Sequence, residues 1–339
     1  MKLSLRLPSI QYRPILCALL SYYPIVPVAL SLLALLQACS TPAAPAIPTP
    51  SRTLASVSTA TQIPSPTSTP TNAPPTPTRP PEGWVLLWSD EFNSPDGSGI
   101  DRDKWTPATG GTGWGNAELE HYTDRIDNAY IENPNGDAGV LVIKAMQEDY
   151  KGDKYTSARF NTQRKFEQTY GRFEARVQIP YGQGIWPAVW MLGTGGGWPR
   201  AGEIDILENI GKEPLIIHGT VHGPGYSGAY GISTAYSSPD GRPFSDDFHV
   251  YAIEWEPNII RWFVDDVQYK TLTPEDLPEG TKWVFDHPFY MLINLAVGGG
   301  WPGKPDETTV FPQYMKIDYV RVYVRENGWP EHTPTPADN

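Results

Sequence analysis

Cysteine is almost missing from this chain. Two of its 339 residues are Cys, and both, Cys17 and Cys39, fall in the first 39. Everything downstream is therefore free of disulfides, and a domain there must be held by its own core. Positive charge is also scarce: 26 Lys and Arg against 38 Asp and Glu leave a net charge of −12. That balance argues against a nucleic-acid partner, whose phosphates call for basic patches, and it suits a neutral ligand. No long segment repeats its apolar residues with a 3.6 period, which excludes a helical bundle, and there is no clear internal repeat. What the chain does contain is 31 Gly, 36 Pro and 12% aromatic residues. This is the composition of a β-rich domain with many turns.

The ends differ from the middle. Lys2, Arg6 and Arg13 precede an apolar stretch from Ile15 to Leu36, interrupted by Pro24 and Pro27. It reads as an export signal over residues 1–39. Leu36-Gln37-Ala38-Cys39 resembles a bacterial lipobox, with Gln37 as its departure, so Cys39 is the expected lipid attachment point. A plain secretion signal cut near Ala38 and an uncleaved anchor are the alternatives. Residues 40–82 hold 12 Pro among 43 residues and otherwise mostly Thr, Ser and Ala. Such a segment cannot bury a core and reads as an extended linker. Hydrophobic patterning begins at Trp84 and stops near Val324. The expected domain is thus 83–325, with a loose tail at 326–339.

Within that domain, short alternating runs follow one another. They include Val140–Lys144, Gly171–Gln178, Phe248–Trp255, Ile259–Val264 and Met315–Val324. Turn residues such as Asp265-Asp266 and Asn133-Pro134-Asn135-Gly136 separate them. The pattern predicts an all-β fold, an antiparallel β-sandwich or jelly roll with one concave face.

One hexapeptide carries the chemistry. Glu203-Ile204-Asp205-Ile206-Leu207-Glu208 places three acids in a strand pattern. Alternation puts Glu203 and Asp205 on one face and Glu208 on the other. A β-bulge near Ile206-Leu207 would return Glu208 to join them. The two glutamates would then stand roughly 5–7 Å apart, close to the ~5–5.5 Å separation of a retaining glycosidase. A solvated acidic edge strand is the plain alternative. Its surroundings favour the first reading: Trp186, Trp190 and Trp198 precede the acids, and indoles stack on the apolar faces of sugar rings. His218, Thr220 and His222 share a face by alternation, with His222 expected to face Glu208. Two histidines without a third ligand or a cysteine make a weak zinc site.

These residues resemble the signature of family-16 glycoside hydrolases, in the bulged form of the laminarinase-like branch. The resemblance extends over 84–324, through Trp114-Gly115-Asn116-Ala117-Glu118, Tyr170-Gly171-Arg172-Phe173-Glu174, Trp186–Met191, Val297–Gly303 and Asp318–Tyr323. It implies retaining endo-hydrolysis of β-1,3-glucans such as laminarin by a monomer needing no cofactor for catalysis. Glu203 would be the nucleophile, Glu208 the acid/base, and Asp205 the residue that tunes both. Trp186, Trp190 and Trp301 would line glucose subsites, with core packing as their alternative. Asn116 and Arg159 would bind sugar hydroxyls. The resemblance also implies a structural Ca²⁺ at Glu91, Gly139 and Asp318. Asp318, mid-strand among apolar neighbours, would be costly unpaired; a salt bridge to Arg321 or Arg325 is the alternative. Mixed-linkage glucan cleavage, other polysaccharide hydrolysis or transglycosylation, and glucan binding without catalysis are the rival activities.

Overall fold

A computed structural model describes residues 81–136 and 138–329. The export signal, Cys39, nearly all of the linker and most of the tail lie outside the described residues. Strands run from Trp84 to Arg325, and the described helical elements are two 3₁₀ turns, Gly228–Tyr230 and Pro274–Asp276.

The strands form two sheets, as an alternating pattern requires when each sheet buries one face. The ten-stranded sheet is ordered Val267–Leu272, Ile259–Val264, His249–Glu256, Gly171–Gln178, Gln313–Arg325, Val140–Tyr150, Asp153–Ser157 and Glu120–Tyr122. Trp84–Asp90 also pairs with Gln313–Arg325, and Ala129–Glu132 with Val140–Tyr150. The seven-stranded sheet is ordered Ile232–Ser237, Ile216–His222, Glu203–Glu208, Ile185–Gly193, Phe289–Val297, Arg159–Asn161 and Thr106–Pro107. Pairing is antiparallel except between Glu120–Tyr122 and Asp153–Ser157. The Asp265-Asp266 turn is a two-residue hairpin loop with both φ angles positive, 48° and 63°. That is the backbone of a type I′ turn, which matches strand twist and tolerates Asp.

Between the sheets lies the core. Val189, Met191, Ile204 and Ile206 from one side meet Phe173, Val177, Ile253 and Trp255 from the other. Trp255 and Phe289 touch edge-to-face across this layer, with centroids 5.1 Å apart. Burial along Ile185–Gly193 alternates: Ile185, Pro187, Val189 and Met191 are buried, while Trp186, Trp190 and Leu192 are half-exposed. One face of this sheet thus closes the core, and its other face presents indoles to solvent.

Candidate active site

The acid strand sits in the middle of the indole-bearing sheet. Its pairing with Ile185–Gly193 runs Glu203↔Leu192, Asp205↔Trp190, Leu207↔Val189 and Glu208↔Ala188. The register shifts between Asp205 and Leu207, which is the bulge anticipated from the spacing. On the other side Glu203 faces His222, Asp205 faces Thr220 and Glu208 faces His218. All three acids therefore project on the side of Trp186 and Trp190. From the opposite sheet, Trp262 Nε1 donates to the carbonyl of Asp205 at 2.8 Å, anchoring the backbone at the bulge.

Glu203 and Glu208 have their own donors. Trp198 Nε1 donates to Glu203 Oε2. Trp186 Nε1 donates to Glu208 Oε1 at 3.1 Å, and Thr220 Oγ1 reaches Glu208 Oε2 at 3.4 Å. His222 Nε2 lies 3.3 Å from Asp205 Oδ2 without the alignment of a hydrogen bond. Ligating atoms of Glu203, Asp205 and His222 fall within 4.8 Å of one another. His222 thus belongs to the Glu203–Asp205 end. The expectation that it faces Glu208 is corrected: its contact is with Asp205 and only its charge acts on Glu208, which Thr220 reaches directly and which His218 opposes in register.

Three carboxyls this close cannot all be ionised. Burial, then the charge of Asp205, pushes Glu203 up to about 8, against the pull of His222 and the Trp198 donor. Burial raises Asp205 to about 7, with Glu203 and Lys270 opposing. Glu208 is raised well above the usual carboxylate range by burial, then by Asp205 and Glu203. The trio is a proton-sharing set at neutral pH, the property that acid catalysis requires.

The tryptophans resolve into two populations. Trp105, Trp255 and Trp262 are fully buried core residues. Trp186 and Trp190 are half-exposed, and Trp301 is 40% exposed. Trp301 stands edge-to-face on Trp186 at 5.6 Å and on His218 at 5.0 Å. The Arg159 guanidinium lies between two indoles, 4.7 Å from Trp114 and 4.8 Å from Trp190. Asn116 is exposed, and its Nδ2 donates to Glu118 Oε1 at 3.0 Å. Sequence reasoning named Trp198 only as a neighbour and did not single out Thr220, Trp114 or Asn294 as site residues. The alternation of His218, Thr220 and His222 was the available signal for Thr220. The others come from turns and from a distant strand, where spacing carries no information.

The expected cation site lies elsewhere, in the ten-stranded sheet. There Arg176 Nη1 donates to Asp318 Oδ2 at 2.9 Å, and Arg321 grips both Glu91 oxygens at 2.9 and 2.8 Å. The argument from an unpaired Asp318 is therefore corrected: Arg176, rather than the anticipated Arg321 or Arg325, forms the ion pair. Backbone oxygens still suit a hard cation. A Cβ on Gly139 would come within 1.9 Å of the Phe92 carbonyl, so this glycine permits a close approach beside Glu91. Burial, with a smaller contribution from the Glu91 charge, raises Asp318 against the pull of Arg176 and Arg321.

A tryptophan-faced sheet with three close, partly protonated carboxyls defines a hydrolase for carbohydrate polymers. The sequence profile of glycosyl hydrolases family 16 matches residues 129–321. The beta-glucanase of Rhodothermus marinus is 48% identical over 253 residues, covering 71% of this chain and 85% of that protein. The laminarinase catalytic domain of Thermotoga maritima is 49% identical with a TM-score of 0.66, covering 71% of this chain and 98% of that domain. The endo-β-1,3-glucanase of Pyrococcus furiosus is 49% identical with a TM-score of 0.66, covering 71% and 94%. The chain belongs to glycoside hydrolase family 16.

Proposed function

We propose that the chain is an endo-acting β-1,3-glucanase that hydrolyses glucans such as laminarin with retention of configuration. One observation carries this reading: the bulged strand gathers Glu203, Asp205 and Glu208 on the sheet face bearing Trp186 and Trp190. In the first step Glu203 attacks the anomeric carbon while Glu208 gives its proton to the departing glycosidic oxygen. This forms a glycosyl ester on Glu203. In the second, Glu208 takes a proton from water, which attacks the same carbon and frees Glu203. Desolvation keeps Glu208 protonated for the first step. The Trp198 donor and His222 favour the ionised Glu203 that the attack needs. Two inversions give a β-product. Digestion of laminarin, lichenan, agarose and xyloglucan side by side tests the substrate, with laminarin expected to be cut fastest into mixed oligosaccharides. Proton NMR of a fresh digest tests the mechanism, and an initial α-anomer would refute it.

The same reading extends to the ends and to the cation. The protein is exported and held at the cell surface by lipid on Cys39, with residues 40–82 as a stalk and a monomeric domain beyond. Cys39→Ser should release it from the membrane fraction or stop its maturation. A structural Ca²⁺ would be held by the backbone carbonyls of Glu91 and Gly139 and by the Asp318 carboxylate, and would stabilise the sheet rather than take part in turnover.

A further inference from the structure

A second pair of acids lies beneath the glucan-facing surface. Glu118 is 7% exposed and Glu120 is fully buried, with no lysine or arginine in ion-pair contact with either among the described residues. They stand two apart, so they share a face with Tyr122 by alternation. Two buried carboxylates side by side without a cation would be prohibitive, so one must hold a proton.

Geometry assigns that proton. Glu118 accepts twice, from Asn116 Nδ2 at 3.0 Å and from Tyr122 Oη at 2.9 Å. Two donors aimed at one carboxyl mark the anion. Glu120 Oε2 accepts from the backbone N–H of Val297 at 2.7 Å. Its Oε1 is fully buried and has no donor at all. A proton on Glu120 shared with Glu118 satisfies that oxygen, and burial followed by the Glu118 charge holds the Glu120 carboxyl well above its usual range.

Three structures radiate from this pair. Asn116 hangs on Glu118 directly. Tyr122 passes the link on: Asn294 Nδ2 donates to Tyr122 Oη at 3.2 Å, and Trp190 Nε1 donates to Asn294 Oδ1 at 2.7 Å. Val297, held by Glu120, leads into the turn that presents Trp301. That turn is tied back to the Asn116 segment by Gly300 N to Asn116 O at 2.7 Å and Leu119 N to Val297 O at 2.8 Å. We propose that Glu118 and Glu120 form a proton-sharing clamp of positioning residues, with Glu118 the anion and Glu120 its neutral donor, that sets Asn116, Trp190 and Trp301 in register for one glucan chain.

The proposal rests on the polysaccharide reading of the site, and its test separates the two. Wild type and variants are compared on whichever of the four polysaccharides the wild type cleaves best. Calorimetric binding of a β-1,3-linked glucose hexamer to the same proteins is measured beside the kinetics. A wild type inactive on laminarin would count against the substrate reading alone. Glu120→Gln keeps an acceptor for Val297 and a donor for Glu118, so its KM and hexamer Kd should stay within about twofold of wild type. Glu118→Gln removes the anion and should raise KM and Kd about tenfold, with kcat changed far less. Tyr122→Phe cuts only the branch to Asn294 and Trp190, should raise KM by a smaller factor, and decides the matter if Glu118→Gln fails to fold. Unchanged KM in both Glu118→Gln and Tyr122→Phe, or equal damage from Glu120→Gln and Glu118→Gln, overturns the clamp.

Discussion

Two regions of this molecule bury carboxylates and treat them oppositely. In the ten-stranded sheet several acids meet an arginine. Arg172 contacts Glu174 at 2.9 Å, Glu254 at 3.3 Å and Asp266 at 2.9 Å, while Arg176 holds Asp318 and Arg321 holds Glu91. In the acid strand the cations are weaker and set back. His222 stands 3.3 Å from Asp205. Lys270 donates to the carbonyls of Gly219 and Ile232 instead, and burial lowers it to about 8. Arginine cannot give up its proton, so it offers these carboxyls a permanent cation. Without arginine, burial lifts Glu203, Asp205 and Glu208 into the range where they exchange protons. The same residue type is structure in one sheet and chemistry in the other.

The largest expected effect tests the chemical side. Glu203→Gln should leave almost no hydrolysis, and Glu208→Gln should cost on the order of 10²–10⁴ in rate on natural glucans. On an activated aryl glycoside the Glu208→Gln enzyme no longer needs its acid for the first step. Azide should then restore turnover and appear as a β-glycosyl azide. An α-azide from Glu208→Gln would exchange the two roles.

The next effect tests the structural side and reverses in sign between the sheets. Arg172→Met strands Glu174 and Glu254 and should cost about 3–5 kcal/mol, as breaking a buried pair does. Glu203→Gln should instead stabilise the fold. Its carboxyl is held up to about 8, so the folded chain keeps a proton that the unfolded chain releases above about pH 4.3. Wild-type stability from this group therefore falls as pH rises toward 8. The melting temperature of Glu203→Gln should exceed wild type by several degrees at pH 8 and match it near pH 4. A variant that melts lower at pH 8 would place Glu203 among the structural acids.

How far this contrast was legible depended on distance along the chain. The acid spacing encodes the bulge, because three acids at positions 203, 205 and 208 can share a face only if the register shifts. Strands such as Gly171–Gln178 and Ile259–Val264 keep their anticipated bounds, since alternation is a local signal. Arg176 and Asp318 are 142 residues apart, and Trp190 and Asn294 are 104 apart. Nothing local announces such partners. His222 was misplaced for a related reason: alternation gives its face, while the bulge on the neighbouring strand decides which acid it meets.

Calcium probes the boundary between the regions at a smaller scale. A cation at Glu91, Gly139 and Asp318 would have to share Asp318 with Arg176. Linkage predicts about 2.7 kcal/mol at a hundredfold excess over its Kd. EDTA should lower the melting temperature by several degrees and leave the initial rate at low temperature unchanged. Asp318→Ala should abolish the response. An EDTA-insensitive melt with no bound metal would leave Asp318 wholly to Arg176.

The smallest expected effect separates binding from chemistry within the acid sheet. Trp186 and Trp301 form one aromatic corner, edge-to-face at 88°. Trp186 also donates to Glu208, whereas the described ring contacts of Trp301 are with Trp186 and His218. Removing Trp301 therefore takes away stacking surface and leaves the donors of Glu203 and Glu208 in place. Trp301→Ala should raise KM about threefold to tenfold, the equivalent of ~0.5–1.5 kcal/mol for one aromatic contact, with kcat nearly constant. Trp186→Ala should raise KM by a similar factor and also lower kcat, because Glu208 loses a donor that helps fix its orientation. The acidic and basic limbs of kcat against pH should move in Trp186→Ala and stay fixed in Trp301→Ala. A shifted pH profile in Trp301→Ala would mean that the rim indole, acting through His218, reaches the proton-sharing set.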